Sequence, residues 1–280
     1  MLMIILGLIL VGLALGSFVN AWAWRLHEQE DVKLGKNPDK KYLARLSIQK
    51  GRSMCTFCKH ELAAIDLVPI LSWLYLRGKC RYCHHRIKND NPISEILTPI
   101  LLVVSYFWWP YTLTGVGKYL FSFWIVFVVA FMALAIYDIR WYILPDNIVK
   151  PLIILALIQV AGQIAIYGIS PHLLSTAFWG VVFSSGIFYS IFVLSKGQWI
   201  GGGDVKLAIV IGIILGGPTM SLLMLFIASS LGSIVGVPIL LAGNRNVRLP
   251  FGPFLLVATF IVMLFGKSII TWYKTKTGIY

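Results

Sequence analysis

The sequence predicts an all-α polytopic membrane protein, with about eight transmembrane helices and one large polar loop between the first two. Of its 280 residues, 58% are hydrophobic and only 12% are charged, about half the charged share of a soluble domain. Burying that much apolar surface requires lipid as part of the solvent. The apolar residues come in runs broken by Pro, Gly or charge. The polar residues concentrate in one stretch: residues 25–92 hold 14 of the 24 Lys and Arg and 7 of the 11 acids.

The formal net charge of +13 does not point to nucleic acid, because the bases do not lie on a compact basic fold. Most bases outside residues 25–92 stand singly at the ends of apolar runs, as the positive-inside rule expects of cytoplasmic loops. The partner expected from composition is membrane lipid.

The first run, residues 2–24, contains Ala21-Trp22-Ala23, which imitates a signal cleavage site. No positive charge precedes the run, however, and Arg25 follows it, the reverse of a cleaved signal. It reads as a retained first helix with its N-terminus outside the cytoplasm. The polar stretch 25–92 follows as a cytoplasmic loop. Seven more spans run through 93–109, 118–137, 148–168, 173–194, 205–216, 219–241 and 249–272. Each should be helical, because backbone groups in lipid must be satisfied within their own segment. The expected division is therefore 1–24, a first helix; 25–92, the loop; and 93–280, a membrane-embedded core. No internal repeat is evident.

A cytoplasmic loop at 25–92 puts residues 138–147, 195–204 and 242–248 on the same side, where Arg140, Lys196, Arg245 and Arg248 fit the rule. The basic tail, with Lys267, Lys274 and Lys276, falls outside and fits it poorly. The sixth run is short. From Asp204 to Gly217 the chain spans about 20 Å of helix, against a hydrocarbon core about 30 Å thick. Either Asp204 lies below the headgroups, or the glycine-rich turn before it dips into the membrane.

The chain's four cysteines, Cys55, Cys58, Cys80 and Cys83, form two C-x2-C pairs separated by 21 residues. That is close to a tetrathiolate zinc pattern: each turn aims two thiolates at one ion, and two turns complete a tetrahedron. A reducing compartment argues against two disulfides. Four protein ligands leave no open position, so the zinc is expected to be structural. His60, His84 and His85 lie nearby as loop histidines able to replace a ligand.

Outside residues 25–92 the acids are Glu95, Asp138, Asp146 and Asp204. Ionisable residues at membrane level are costly and commonly functional. Asp138 ends a helix ahead of Leu144-Pro145-Asp146. Asp204 follows Gly201-Gly202-Gly203, where glycine permits close backbone approach. Two carboxylates held together share a proton between them. The ionised group can activate water while the protonated group donates to a scissile carbonyl, with no metal in the site. The alternative is helix-end chemistry, with Asp204 as an N-cap and Asp138 paired with Arg140. Asp146 competes with Asp138 but suits an N-cap after Pro145. Lys206, two residues from Asp204 on a helix, should not face it. No G-x-S-x-G or H-E-x-x-H arrangement occurs.

At this point the chain resembles the bifunctional prepilin peptidases (type IV leader peptidase and N-methyltransferase) over nearly its whole length. The likeness is carried by Gly16-Ser17-Phe18-Val19-Asn20 with Arg25-Leu26, by Arg52-Ser53-Met54-Cys55 with Cys58, and by Asp66-Leu67-Val68-Pro69-Ile70-Leu71-Ser72-Trp73 with Arg77-Gly78-Lys79-Cys80. It continues through Asp138 to Asp146, Gly201-Gly202-Gly203-Asp204-Val205-Lys206-Leu207 (the G-x-G-D motif) and Leu249-Pro250-Phe251-Gly252-Pro253. The resemblance implies an aspartic endopeptidase of the bacterial inner membrane. Such an enzyme removes the basic leader of prepilins or pseudopilins after a glycine, at the cytoplasmic face. It then methylates the new N-terminus with S-adenosylmethionine.

The resemblance puts the catalytic aspartates at Asp138 and Asp204, and the zinc ligands at the four cysteines. Supporting positions are Pro145, Gly201, Gly203, Pro250 and Gly252. Methylation is implied for Gly78, Lys79 and Glu95. Departures from the family pattern cluster around the loop: His27-Glu28-Gln29-Glu30 follows Arg25-Leu26, and residues 28–50 resemble an insertion. The competing classes are a peptidase whose cysteine loop is structural or substrate-binding, a zinc-anchored scaffold, and a proton-coupled transporter, which should show midplane acids and an inverted repeat.

Overall fold

The computed structural model describes residues 1–35, 40–48, 51–243 and 249–278; Arg245 and Arg248, expected in a cytoplasmic loop, lie outside them. Its helices are α1 (Leu2–Lys33), α2 (Lys40–Arg45), α3 (Leu71–Tyr75), α4 (Asp90–Phe107), α5 (Gly115–Trp141), α6 (Asp146–Tyr167), α7 (Pro171–Val181), α8 (Ile187–Leu194), α9 (Gly202–Leu215), α10 (Pro218–Leu241) and α11 (Gly252–Thr277). A π-helical turn, Val182–Gly186, joins α7 to α8.

Among the described residues, six stretches are long and apolar enough to cross a bilayer: α1, α5, α6, the α7–α8 rod, α10 and α11. The expected spans at 93–109 and 205–216 correspond to α4 and α9, which fall short for different reasons. α4 opens with Asp90, Asn91, Ser94 and Glu95, so its first turns are polar. α9 has 14 residues, about 21 Å.

The chain divides into two compact units. The first comprises Met1–Phe107 with Val128–Ile136. In it α1 and α4 pack through small residues. A Cβ on Gly12 would come within 2.5 Å of Pro99 Cα, and one on Gly16 within 2.9 Å of Glu95 Cα. Such close approach is the usual means of helix association in lipid, where burying apolar side chains gains nothing. Asn20 donates to Ser94 Oγ, and Ser94 donates to the Gly16 carbonyl at 3.0 Å, so this seam is also tied by hydrogen bonds.

α1 continues beyond Trp24, the expected end of the first span, to Lys33. Its extension carries a small core of Trp24, Leu46 and Met54, with Tyr42 packed against it. Arg25 Nη1 donates to Ser47 O at 3.0 Å and Gln29 Nε2 to Leu46 O at 2.9 Å. Lys59 pairs with Glu28 at 3.3 Å while lying over the Trp24 ring. The polar residues after Trp24 thus prolong the helix because the folded loop satisfies them.

The second unit comprises Trp108–Phe127 with Tyr137–Tyr280. Its centre is α9, whose Leu207, Ala208, Val210 and Ile211 are fully buried. α9 packs against α6, α7, α8 and the π turn. Gly180 and Gly212 meet backbone to backbone: a Cβ on Gly212 would lie 2.6 Å from Gly180 O. Ser185 Oγ donates to Val205 O at 2.9 Å, Ser221 Oγ donates to Gly180 O at 3.0 Å, and Ser184 Oγ stands 2.8 Å from Ala208 O. The π turn places both serines toward α9.

Candidate active site

Asp138 lies in the last turn of α5, which Tyr142 closes in the left-handed conformation, its N–H donating to Asp138 O at 2.8 Å. The Asp138 side chain is buried, 5% exposed. Its Oδ2 accepts from Gly252 N at 3.0 Å. Gly252 is the first residue of α11, so the positive end of that helix faces the carboxylate. Only glycine fits there, since a Cβ would lie 2.6 Å from Asp138 Oδ2.

Asp204 is half-buried in the first turn of α9. The N-cap is Gly201, not Asp204. The helix begins at Gly202, two residues before the aspartate. Asp204 N donates to Gly201 O at 3.1 Å, and a Cβ on Gly201 would lie 3.3 Å from Asp204 Oδ2. The Asp138 carboxylate lies within electrostatic range of Asp204.

Leu144 joins these pieces. It is buried, and a Cβ on Gly203 would press it at 2.8 Å, while one on Gly252 would meet its Cδ2 at 3.4 Å. Gly203 and Gly252 therefore admit the same leucine from two sides. Pro145, also buried, is the N-cap of α6, its carbonyl accepting from Ile148 and Val149. Pro250 stands two residues before α11. Asp146 opens α6 and accepts from Lys206 Nζ at 2.7 Å and Lys150 Nζ at 3.0 Å. This takes Lys206 away from Asp204, as helix geometry predicts. Asp146 has two lysine partners, where the sequence suggested a cap. The Lys206 contact is a long-range pairing that no local spacing announces.

In the first unit the four cysteine sulfurs lie within 4.8 Å of one another, and Cys55 Sγ is 3.8 Å from Cys83 Sγ. Four thiolates around one zinc at about 2.3 Å would stand about 3.8 Å apart, so the cluster fits a tetrahedral ion. The two knuckles are one turn used twice. Cys55 N donates to His60 O and Lys59 N to Cys55 O; Cys80 N donates to His85 O and His84 N to Cys80 O. Lys59 and His84 both take positive φ. Phe57 of the first knuckle stacks on His85 of the second at 4.0 Å, and Tyr82 of the second on His60 of the first at 3.8 Å. The duplication is confined to one six-residue turn. Its signal is the shared pattern Cys-x-aromatic-Cys-x-His at Cys55 to His60 and Cys80 to His85, too short to register as a repeat. His60 and His85 serve as stacking partners, and neither joins the sulfur cluster.

The candidate methylation residues separate in character. Gly78 is buried at φ +69° against the Trp73 ring, and Lys79 is exposed. Trp73 Nε1 is buried with no hydrogen-bond partner among the described residues. Glu95 is buried, 9% exposed, and its Oε2 accepts from Ile70 N at 2.6 Å. Ile70 holds a positive φ of 62°, a strained conformation for a β-branched residue that this bond helps to fix.

Residues 10–109 match the family described as Bacterial Peptidase A24 N-terminal domain, and residues 124–237 match the Type IV leader peptidase family. The chain is 30% identical over 281 residues to the prepilin leader peptidase/N-methyltransferase of Aeromonas hydrophila, covering 95% of this chain and 92% of that protein. The protein of the same name from Pseudomonas aeruginosa is 31% identical, with 96% and 93% covered. That from Bacillus subtilis is 32% identical, with 81% and 87% covered. No solved structure matches the chain.

Proposed function

This chain belongs to the type IV prepilin leader peptidase/N-methyltransferase family, and from that premise we propose that it removes the leader of type IV prepilins or pseudopilins by aspartyl hydrolysis at Asp138 and Asp204. The observation that carries the reading is the convergence of three distant segments on one carboxylate pair. Gly252 N holds Asp138 Oδ2, Leu144 fills the space that Gly203 and Gly252 leave, and the two carboxylates lie within electrostatic range of each other.

In this reading the pair holds one proton. The ionised carboxylate takes a proton from water, and the hydroxyl attacks the carbonyl carbon of the scissile bond. The protonated carboxyl donates to the carbonyl oxygen. As the tetrahedral species collapses, the C–N bond breaks and the leaving amine takes a proton. The Gly252 amide orients the Asp138 carboxylate. The same reading counts α4 and α9 as membrane-embedded, giving eight helices. It puts the site on the cytoplasmic side of the inner membrane, with 25–92 as the loop domain and 93–280 as the peptidase core.

The cysteine cluster would hold structural zinc, whose charge would keep the thiolates ionised. We assign N-methylation to the same loop. S-adenosylmethionine would supply the methyl group. Trp73 offers a ring and an unpartnered N–H beside Gly78, and Lys79 is exposed nearby in sequence. Glu95 supports this region indirectly, since its carboxylate already holds Ile70.

Purified protein in lipid nanodiscs, incubated with a prepilin-like substrate, tests both activities. Cleavage by wild type and its loss in Asp138→Asn and Asp204→Asn is the expected result. Full cleavage by either variant would exclude the pair. A methyl mass on the product that depends on added S-adenosylmethionine supports the second activity, and its absence would make the enzyme a peptidase alone.

A further inference from the structure

The stretch from Ala64 to Tyr75 carries apolar side chains that the fold leaves uncovered. Leu71 is 66% exposed, Leu74 58% and Tyr75 79%, with Ile65 at 64% just before them. In a loop surrounded by water this would be costly. The surroundings are set by the level at which the stretch is tied.

Ile70 N is bonded to Glu95 Oε2, and Glu95 Cα lies against Gly16 of α1. A bilayer core about 30 Å thick takes about 20 helical residues. The apolar run of α1 ends at Trp24, just before Arg25, so the boundary of the core lies near Trp22, on the aromatic level where such residues settle. Gly16 is six residues short of that point, about 9 Å inside the boundary. Through Glu95, Ile70 is thus tied to a part of α1 inside the boundary, nine residues and about 13 Å before Arg25. Arg77 and Lys79, both exposed, follow directly. Cationic side chains flanking an apolar stretch match an anionic headgroup layer.

We infer that Ala64–Tyr75 is a membrane-seating segment, in which Leu71, Leu74 and Tyr75 insert into the headgroup–acyl boundary of the same bilayer that α1 crosses. The occupant of this surface is phospholipid. Seating fixes the height of the adjoining second knuckle, Lys79 to Arg86, relative to the membrane surface. The inference is independent of the aspartyl mechanism.

The test uses the full chain in phospholipid nanodiscs, with the photo-crosslinking residue p-benzoyl-phenylalanine at Tyr75, at Leu74, or at Leu34. Leu34 is an exposed apolar control just past the end of α1, 18 residues beyond Gly16 and about 27 Å away along the helix axis. Zinc content and leader cleavage are measured on each variant as checks of folding. Lipid adducts at Tyr75 and Leu74 at least about tenfold above Leu34 are expected for groups in the acyl boundary. Adduct yields equal to the control would overturn the inference. So would a crosslink that moves from lipid to an added prepilin-like peptide, which would make the surface a substrate dock.

Discussion

The cysteine cluster and the aspartate pair are assembled in opposite ways. The cluster is local: two copies of one six-residue turn bring four sulfurs within 4.8 Å, and each copy's aromatic ring clasps the other copy's histidine. The aspartate pair is drawn from the end of α5, the start of α9 and the start of α11, and is brought together by what glycine leaves out. A local site is written by spacing. A dispersed site is written by clearances, which no single stretch of sequence displays.

That contrast predicts different fragility. The largest effect belongs to the carboxylates: Asp138→Asn or Asp204→Asn should lower the initial rate of leader cleavage by about 10³-fold or more, with zinc content unchanged by metal analysis. Next comes Gly252→Val. Its side chain must displace an oxygen that a Cβ alone would approach to 2.6 Å. A shift of about 1 Å in a reacting group can cost about 10²-fold, so kcat should fall by that order while the carboxylates remain.

The cysteine cluster should break independently. Cys55→Ser with Cys58→Ser should abolish bound zinc yet leave cleavage within about threefold, because the cluster and the carboxylates belong to different compact units. A parallel collapse of cleavage would show that they are coupled. In the metal-free cluster, burial pushes the Cys55 thiol up to about 12. It is therefore protonated at neutral pH, and metal binding must displace that proton. Zinc affinity should rise with pH and fall in acid, read by competition with a chelator from pH 8 down to 6.

The smallest effect belongs to the Asp146–Lys206 pair. Its side chains are 41% and 42% exposed, so breaking it should cost about 0.2–1 kcal/mol. Lys206→Met should change cleavage only a few-fold.

Much of this was legible in the residues. The apolar runs foretold helices because lipid permits little else, and the C-x2-C pairs foretold a metal-sized cluster. Span number was less legible, because α4 opens with polar residues and α9 is short, and neither feature can be weighed without knowing what they pack against. The extent of α1 was hidden for a related reason: Arg25 and Gln29 look like loop residues until Ser47 and Leu46 are seen to accept from them. At the aspartate pair, chemistry alone left a capping role open. The roles of Leu144 as a spacer and of Lys206 as a partner for Asp146 depend on contacts at long range, where sequence carries no period. The resemblance to a known family supplied what spacing could not.

The seam between Gly180 and Gly212 has a mechanical consequence. Gly212 is eight residues from Asp204 on the same helix, about 12 Å along its axis. That helix meets bare backbone at Gly212, and the Ser185 and Ser184 hydroxyls reach its Val205 and Ala208 carbonyls. A stiff rod gripped so closely passes on small errors undiminished. One added methyl at position 212 would act as a lever on a carboxylate far from it, and the tolerance of the cutting edge is set at the handle.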